Sequence, residues 1–156
     1  MRRTQLLCAI GVSLWSAMAA ASQATDAAAM PGALRAHVQD EQFGIVTSIR
    51  GLPLGVRDAL QSLFASRTLD IVEPGAEFNP KLAGRRLIAA GCSNDHCLVY
   101  YERGGTEHTW NVALFHWTPA ATRFEWGANA PGGLTTIDQV RNAILSGAIK
   151  GPAKVW

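Results

Sequence analysis

Arg86 to Trp117 reads RLIAAGCSNDHCLVYYERGGTEHTWNVALFHW, in which apolar segments are separated by two turn signals. The first signal is the hexapeptide Cys92–Cys97, whose four inner residues are polar. The second is Gly104-Gly105, a pair typical of two-residue β-hairpin turns. The pattern predicts three strands that follow one another as an antiparallel meander, over Arg86–Ala90, Leu98–Arg103 and Thr106–Trp117.

The Gly104-Gly105 signal also predicts how the second and third strands pair. A two-residue turn gives the facing pairs Arg103–Thr106, Tyr101–His108 and Cys97–Val112. In this register His108 lies about 13 Å along the strand from the cysteine hexapeptide. His116 falls at the same end of the sheet as the hexapeptide. His37 has no predicted partner, and we expect a partly exposed side chain there.

The segments on either side of the meander complete an α+β fold. Upstream, we predict a strand over Phe43–Ile49 and an amphipathic helix over Leu54–Ser66, where apolar residues recur at helical spacing. Downstream, Thr122–Trp126 extends the sheet, and Thr136 with Gln139 forms a capping box that begins a last helix. The prediction is an antiparallel sheet of about five strands with two main helices. Smaller elements are a helical turn or two in Leu34–Gln42, a short strand in Leu69–Val72 and a glycine-rich loop in Gly127–Gly133.

The first 24 residues have the layout of a secretory signal peptide. Arg2 and Arg3 form a basic start, and the apolar run Leu6–Leu14 is too short for a permanent membrane span. We expect cleavage after residue 19, 21 or 24, and export to the periplasm or beyond the cell. Residues 25–33 are predicted to be a flexible leader, and residues 34–156 a single α+β domain.

Loss of the signal peptide changes the charge of the mature chain. Arg2 and Arg3 leave with it and no acidic residue does, so the formal net charge falls from +2 to zero. Without a basic stripe, the mature chain is not expected to bind nucleic acid or an anionic membrane surface. No later segment is long and apolar enough to be an integral membrane helix.

Export also decides the state of the cysteines. Cys8 is removed with the signal peptide, and in an oxidising compartment we expect Cys92 and Cys97 to form a disulfide. The closed ring restrains its four inner residues before any partner arrives, which lowers the ordering cost of binding. We expect the ring to display Asp95 and His96. The predicted binding loop consists of Ser93, Asn94, Asp95 and His96.

A metal centre is one alternative for the hexapeptide. Zinc would accept ligand atoms from Cys92, Asp95, His96 and Cys97, joined by His116. Thiolates must be reduced to bind zinc, however, and export favours their oxidation. We therefore predict neither a metal nor another cofactor.

An enzyme is the other alternative. Gly91-Cys92-Ser93 resembles the nucleophile segment of the NlpC/P60-type cell-wall peptidases. Such a nucleophile needs a histidine base within reach and is commonly placed at a helix N-terminus, whereas Cys92 is predicted to lie in a strand-to-strand turn with Cys97 available to trap it. The sequence also lacks a Gly-x-Ser-x-Gly elbow and a phosphate-binding loop. We predict no catalytic residue and a non-enzymatic protein.

The Cys92–Cys97 hexapeptide resembles the inhibitory loop of the bacterial inhibitors of vertebrate lysozyme, the Ivy family. In that family the loop lies between two strands and reads Cys-Lys-Pro-His-Asp-Cys, and its histidine enters the lysozyme cleft. Here Asp95 and His96 occupy the positions of that His and Asp, and Ser93-Asn94 replaces Lys-Pro. The resemblance implies an inhibitor whose partner is a c-type lysozyme or another protein with an acidic cleft. The same loop is also typical of a staple in a small exported structural domain, where Asp95 caps the turn.

Overall fold

The structure is a computed structural model that describes residues 30–63 and 71–151, and of Leu63 only the backbone. The predicted signal peptide and the start of the predicted leader lie outside these ranges. So do the last three residues of the predicted Leu54–Ser66 helix and the start of the predicted Leu69–Val72 strand.

Three helices and six strands make up the described part of the chain. The helices are α1 (Gly32–Asp40), α2 (Leu54–Leu63) and α3 (Ile137–Leu145). The strands are β1 (Gly44–Val46), β2 (Ile71–Val72), β3 (Gly84–Cys92), β4 (His96–Gly104), β5 (Thr109–Trp117) and β6 (Thr122–Ala130). The order β1-β3-β4-β5-β6 is antiparallel throughout, and β2 adds a short parallel pairing to β3. The predicted α+β fold with its antiparallel meander is confirmed.

Helices cover both faces of the sheet. The α1/α3 face buries a cluster that includes Val38, Phe43, Leu98, Tyr100, Val112, Leu114, Val140 and Ile144. The α2 face buries a second cluster that includes Val56, Leu60, Leu87, Val99, Tyr101, Ala113 and Phe115. Successive residues of β4 and β5 alternate between the two clusters, as side chains of a strand must. Both strands therefore carry apolar residues on both faces and are covered on each side.

The ends of several predicted elements differ from the structure. Met30 packs in the α1/α3 cluster and α1 begins at Gly32, so the end of the predicted leader 25–33 belongs to the folded domain. The strand predicted over Phe43–Ile49 is shorter, because the Ser48 side chain caps a 3-10 helix over Ile49–Gly51. The loop predicted at Gly127–Gly133 begins later, because β6 continues to Ala130 along β5.

The predicted register of the β4–β5 hairpin is wrong by three residues. The structure gives the facing pairs Arg103–Thr109, Tyr101–Asn111, Cys97–Phe115 and His96–His116. Gly104 ends β4, and Gly105–His108 form a longer loop before β5 begins. His116 therefore lies directly opposite His96, and His108 lies at the other end of the hairpin.

The longer loop results from contacts between the hairpin end and the segment that precedes β3, which lies outside the hairpin. The segment before β3 crosses the hairpin end so closely that a Cβ on Gly104 would lie 2.5 Å from the Leu82 carbonyl oxygen. The Gly105 amide donates a hydrogen bond to the Pro80 carbonyl at 3.0 Å, and its φ of +114° is one that side chains rarely adopt. The two glycines thus permit a close backbone approach rather than a two-residue turn.

The last helix agrees with its predicted signals. Thr136 accepts a hydrogen bond from the Gln139 amide, and the Gln139 side chain accepts one in return, which completes the capping box. Ile137, Val140 and Ile144 form its buried stripe. A capping interaction of this kind contributes about 1 kcal/mol to helix stability.

Because two tyrosines of β4 are buried, we expect the protein to lose stability at alkaline pH. Burial raises the pKa of Tyr100 from 10.0 to about 12, and it raises the pKa of Tyr101 still further. Tyrosine in the unfolded chain ionises near pH 10. The free energy of unfolding that the two neutral, buried tyrosines contribute is therefore fully present below that pH and is lost as the pH rises toward their folded pKa values. We expect the urea midpoint to fall above about pH 10, and to fall less in Tyr101→Phe. A midpoint with the same pH dependence in both proteins would contradict this assignment.

Candidate functional site

The Cys92–Cys97 hexapeptide forms the turn between β3 and β4. The predicted disulfide is present, and its two cysteines face each other in the strand register. Within the turn, the Ser93 amide donates to the His96 carbonyl at 2.7 Å, and the His96 amide donates to Ser93 Oγ at 3.0 Å. The loop is thus closed by a covalent bond and by hydrogen bonds across its base.

His96 points away from the tip of this loop. Its side chain is 2% exposed, so the prediction that the loop displays His96 is wrong. His96 is the first residue of β4 and therefore shares a face with Leu98 and Tyr100, which pack toward α1 and α3. The outward residues are Asn94, which is exposed, and Asp95, whose side chain is 49% exposed.

The end of α1 supplies two partners for His96. His37 lies in the last turn of α1, and Glu41 is the C-cap residue that follows the helix with an extended backbone; His37 Nδ1 lies 2.5 Å from Glu41 Oε1. The His37 ring lies 4.1 Å from the His96 ring, measured between centroids. Glu41 also accepts a short hydrogen bond from the Ser93 hydroxyl. Helix α1 and the loop are therefore joined through one carboxylate.

Several carboxylate oxygens surround His96 Nδ1. Glu41 Oε1 lies at 2.9 Å, Glu41 Oε2 at 3.2 Å and Asp95 Oδ1 at 3.0 Å. A ring nitrogen carries at most one hydrogen, so a single donor faces three acceptor atoms from two carboxylates. The loop base therefore has more acceptors than His96 can satisfy.

Glu125 approaches the other nitrogen of His96. Trp126 faces Leu114 and Phe124 faces Phe115, which leaves Glu125 as the extra residue of a β-bulge in β6. Bulges redirect side chains, and Glu125 Oε2 lies 3.5 Å from His96 Nε2.

The Glu125 carboxylate is nearly buried, with 9% of its side chain exposed. Glu125 Oε1 contacts Arg123 Nη2 at 2.5 Å. Glu125 Oε2, in contrast, is buried and has no hydrogen-bond partner among the described residues. A buried acceptor without a hydrogen-bond partner lowers the free energy of unfolding by about 1–3 kcal/mol.

His116 completes the surroundings of His96 from the neighbouring strand. Its ring meets the His96 ring edge to face, with centroids 5.3 Å apart. We call the group of three imidazoles and three carboxylates the His96 cluster, which consists of His37, Glu41, Asp95, His96, His116 and Glu125. Such a group can hold a proton or a cation at its centre. The ligand atoms of His37, Glu41 and His96 all lie within 4.8 Å of one another.

The structure brings together some of the predicted site residues and separates others. Ser93, Asp95 and His96 meet at the base of the loop, and Asn94 stands apart at the tip. His108 forms a different pair, with Nε2 2.6 Å from Glu102 Oε1. Sequence reasoning missed His37, Glu41 and Glu125. The His-x3-Glu spacing was a signal for the first two, because it places both on one side of a helix.

The arrangement gives no support to a cysteine nucleophile at Cys92. The reactive form of cysteine is the thiolate, and the sulfur of Cys92 is bonded to that of Cys97.

Beside the loop lies a polar surface cleft lined by Glu41, Gln42, Ser93, Asn94 and Asp95.

Within residues 30–63 and 71–151, no helix has the length and apolar character needed to cross a membrane. Comparison of the chain with models of known protein families, with curated proteins and with solved structures gives no match. Its function must therefore be argued from its own residues.

Proposed function

We propose that this protein is an exported binding module that inserts the Cys92–Cys97 loop into the cleft of a glycosidase of the c-type lysozyme class. The observation that carries the proposal is that the loop is held in one conformation before any partner binds. The disulfide closes it, Ser93 bonds across it, and Glu41 holds its base against α1.

Such a loop avoids much of the entropy cost of association. Ordering a flexible side chain at an interface costs about 0.5–1.5 kcal/mol, and flexible backbone adds to this cost. Here Ser93 and His96 are already held by contacts with Glu41 and with each other. The restraint is greatest at the loop base, so Asn94 and Asp95 are presented on a rigid support.

The outward residues determine what the tip can recognise. The Asn94 amide offers two donors and one acceptor, and it is exposed. A glycosidase cleft commonly contains a pair of carboxylic acids, which accept such donors. We assign contact with the partner to Asn94 and Asp95. His96 acts as a positioning residue, in contrast to the family that the loop resembles, where the histidine enters the cleft.

The disulfide also supports a location outside the cytoplasm. Disulfides persist in the periplasm and in secreted proteins, and are rare in the reducing cytoplasm. Periplasmic or secreted localisation therefore belongs to the same proposal. A structural domain without a cleft-binding role is the second candidate, and the hydrogen bonds that hold the loop base favour it equally, since they stabilise the fold with or without a partner.

Inhibition of lysozyme tests the proposal. We expect the oxidised chain from residue 25 onward to inhibit cell-wall hydrolysis by a c-type lysozyme with 1:1 stoichiometry. Asn94→Ala should raise the inhibition constant at least about tenfold, as expected for loss of a contact worth about 1.4 kcal/mol, without a change in melting temperature. Asn142→Ala, on α3, is the matched control. Absence of inhibition and of complex formation with several c-type lysozymes would leave the structural domain as the better description.

A further inference from the structure

We propose that the His96 cluster binds a divalent transition-metal ion, with Zn²⁺ the best fit, through His37 Nδ1, the Glu41 carboxylate and His96 Nδ1. The site shares His96 and Asp95 with the loop on which the proposed binding of lysozyme relies, but zinc binding by the free protein is measured without a lysozyme. It differs from the cysteine-containing site considered from the sequence, because Cys92 and Cys97 are committed to their disulfide.

The ligand atoms converge from two separate elements. His37 belongs to the last turn of α1, Glu41 is the C-cap residue of that helix, and His96 comes from the start of β4. Glu41 Oε1 lies between the two imidazoles, 2.5 Å from His37 Nδ1 and 2.9 Å from His96 Nδ1. Zinc binds nitrogen and oxygen at about 2.0–2.2 Å, so its ligand atoms lie about 3.5 Å apart. Small side-chain rotations would open the space for an ion.

The chemistry of the donors favours zinc over calcium or magnesium. Two imidazoles and one carboxylate are a ligand set that zinc uses in proteins, whereas calcium and magnesium take oxygen ligands. Asp95 Oδ1, 3.0 Å from His96 Nδ1, can supply a fourth ligand. A site with four protein ligands would hold the loop against α1 instead of activating a water molecule.

The negative charge of the three carboxylates in the cluster also favours binding of a cation. Glu41, Asp95 and Glu125 bring three carboxylates to His96, and only Glu125 among them contacts an arginine side chain within the described residues. Neutral imidazoles cannot balance these charges. Positive charge on more than one of the three neighbouring rings would place like charges within 4.1 Å or 5.3 Å of each other, measured between ring centroids. One dication balances two carboxylates without that repulsion.

Glu125 is the independent observation that points to a metal. Its Oε2 atom is buried, lacks a hydrogen-bond partner in the described structure and faces His96 Nε2 at 3.5 Å. When a metal occupies Nδ1 of a histidine, the ring proton resides on Nε2 and is commonly donated to a carboxylate. Zinc at Nδ1 would therefore provide the donor that Glu125 Oε2 lacks.

Direct titration tests the site. The untagged, oxidised protein, freed of metal with EDTA, is titrated with Zn²⁺ against a chromogenic chelator. We expect one saturable site in the wild-type protein and a rise in melting temperature at saturation. His37→Gln should weaken zinc binding by at least about 100-fold, and Glu125→Gln by about 10–100-fold through loss of the outer carboxylate. Titration with Co²⁺ should give the intense visible absorption of a four-coordinate site.

The controls separate loss of a ligand from loss of the fold. The His37 side chain is 43% exposed, so His37→Gln should keep the wild-type melting temperature when no metal is present. His108→Gln alters the other histidine–carboxylate pair, with Glu102, and should leave zinc affinity unchanged. Wild-type protein that binds no zinc, or equal binding by wild type and His37→Gln, overturns the proposal. The lysozyme assay is run separately on metal-free protein, so a failure of zinc binding is distinguished from a failure of inhibition.

Discussion

His96→Ala should lower the free energy of unfolding by about 3 kcal/mol, which corresponds to a drop in melting temperature of about 10 °C. The His96 side chain is 2% exposed and lies between Glu41 and Glu125. Its removal leaves a cavity and takes one polar neighbour from each carboxylate, while Glu41 keeps its contacts with His37 and Ser93 and Glu125 keeps its contact with Arg123. Each buried polar group left without a partner costs about 1–3 kcal/mol. Thermal and urea unfolding of both proteins measure this difference directly.

A matched control for His96→Ala is available in the same hairpin. His108 also pairs with a carboxylate, Glu102, but its side chain is 35% exposed and can be replaced by water. We expect His108→Ala to cost less than about 1 kcal/mol, because the buried Glu102 carboxylate keeps its ion pair with Arg86. Equal destabilisation by the two substitutions would show that His96 is not the anchor of the loop.

The same substitution distinguishes positioning from contact. If His96 supports the loop from beneath, His96→Ala should weaken lysozyme inhibition together with stability, whereas Asn94→Ala should weaken inhibition alone. His96→Gln, which retains a donor, should recover part of both properties. A His96→Ala protein that remains as stable as wild type but fails to inhibit would place His96 in the partner's cleft, as the resemblance to lysozyme inhibitors implies.

The sequence predicts those features of this fold that depend on local signals. The alternation of apolar residues, the capping box at Thr136 and the paired cysteines each involve neighbours in the chain, and the structure contains the corresponding elements. The predicted β4–β5 register was wrong because Gly104 and Gly105 contact residues 80–82, which cross the hairpin end and lie more than 20 residues earlier in the chain. A turn signal alone does not reveal such a contact.

The site was harder to predict than the fold for a similar reason. Glu41 and His96 are 55 residues apart, and their contact depends on how α1 packs against the sheet. Glu125 reaches the cluster through a bulge, which shifts the side-chain alternation on which strand predictions rely. The inward direction of the His96 side chain could, however, have been predicted from the sequence. Extension of the predicted strand from Leu98 back to His96 places both residues on one face, and Leu98 is apolar.

Replacement of both cysteines, Cys92→Ser with Cys97→Ser, should reduce lysozyme inhibition far more than it reduces stability. The ring contains few residues, so the loop-entropy model gives a loss of only about 2 kcal/mol. The fold should survive this loss, because the α1/α3 cluster contains neither cysteine and Cys97 is only one of the buried residues of the α2-face cluster. The tip residues Asn94 and Asp95, in contrast, lose the restraint that presents them to a partner.

The expected change in affinity follows from that lost restraint. If backbone and side-chain ordering at the tip is restored only on binding, a cost of about 3 kcal/mol raises the inhibition constant by about 100-fold. Reduction of the wild-type protein should have the same effect, and reoxidation should reverse it. Circular dichroism recorded alongside the inhibition assay separates a loosened loop from an unfolded chain. Full inhibition by a folded protein without the disulfide would show that the bond is a structural staple, and that recognition, if any, lies elsewhere on the surface.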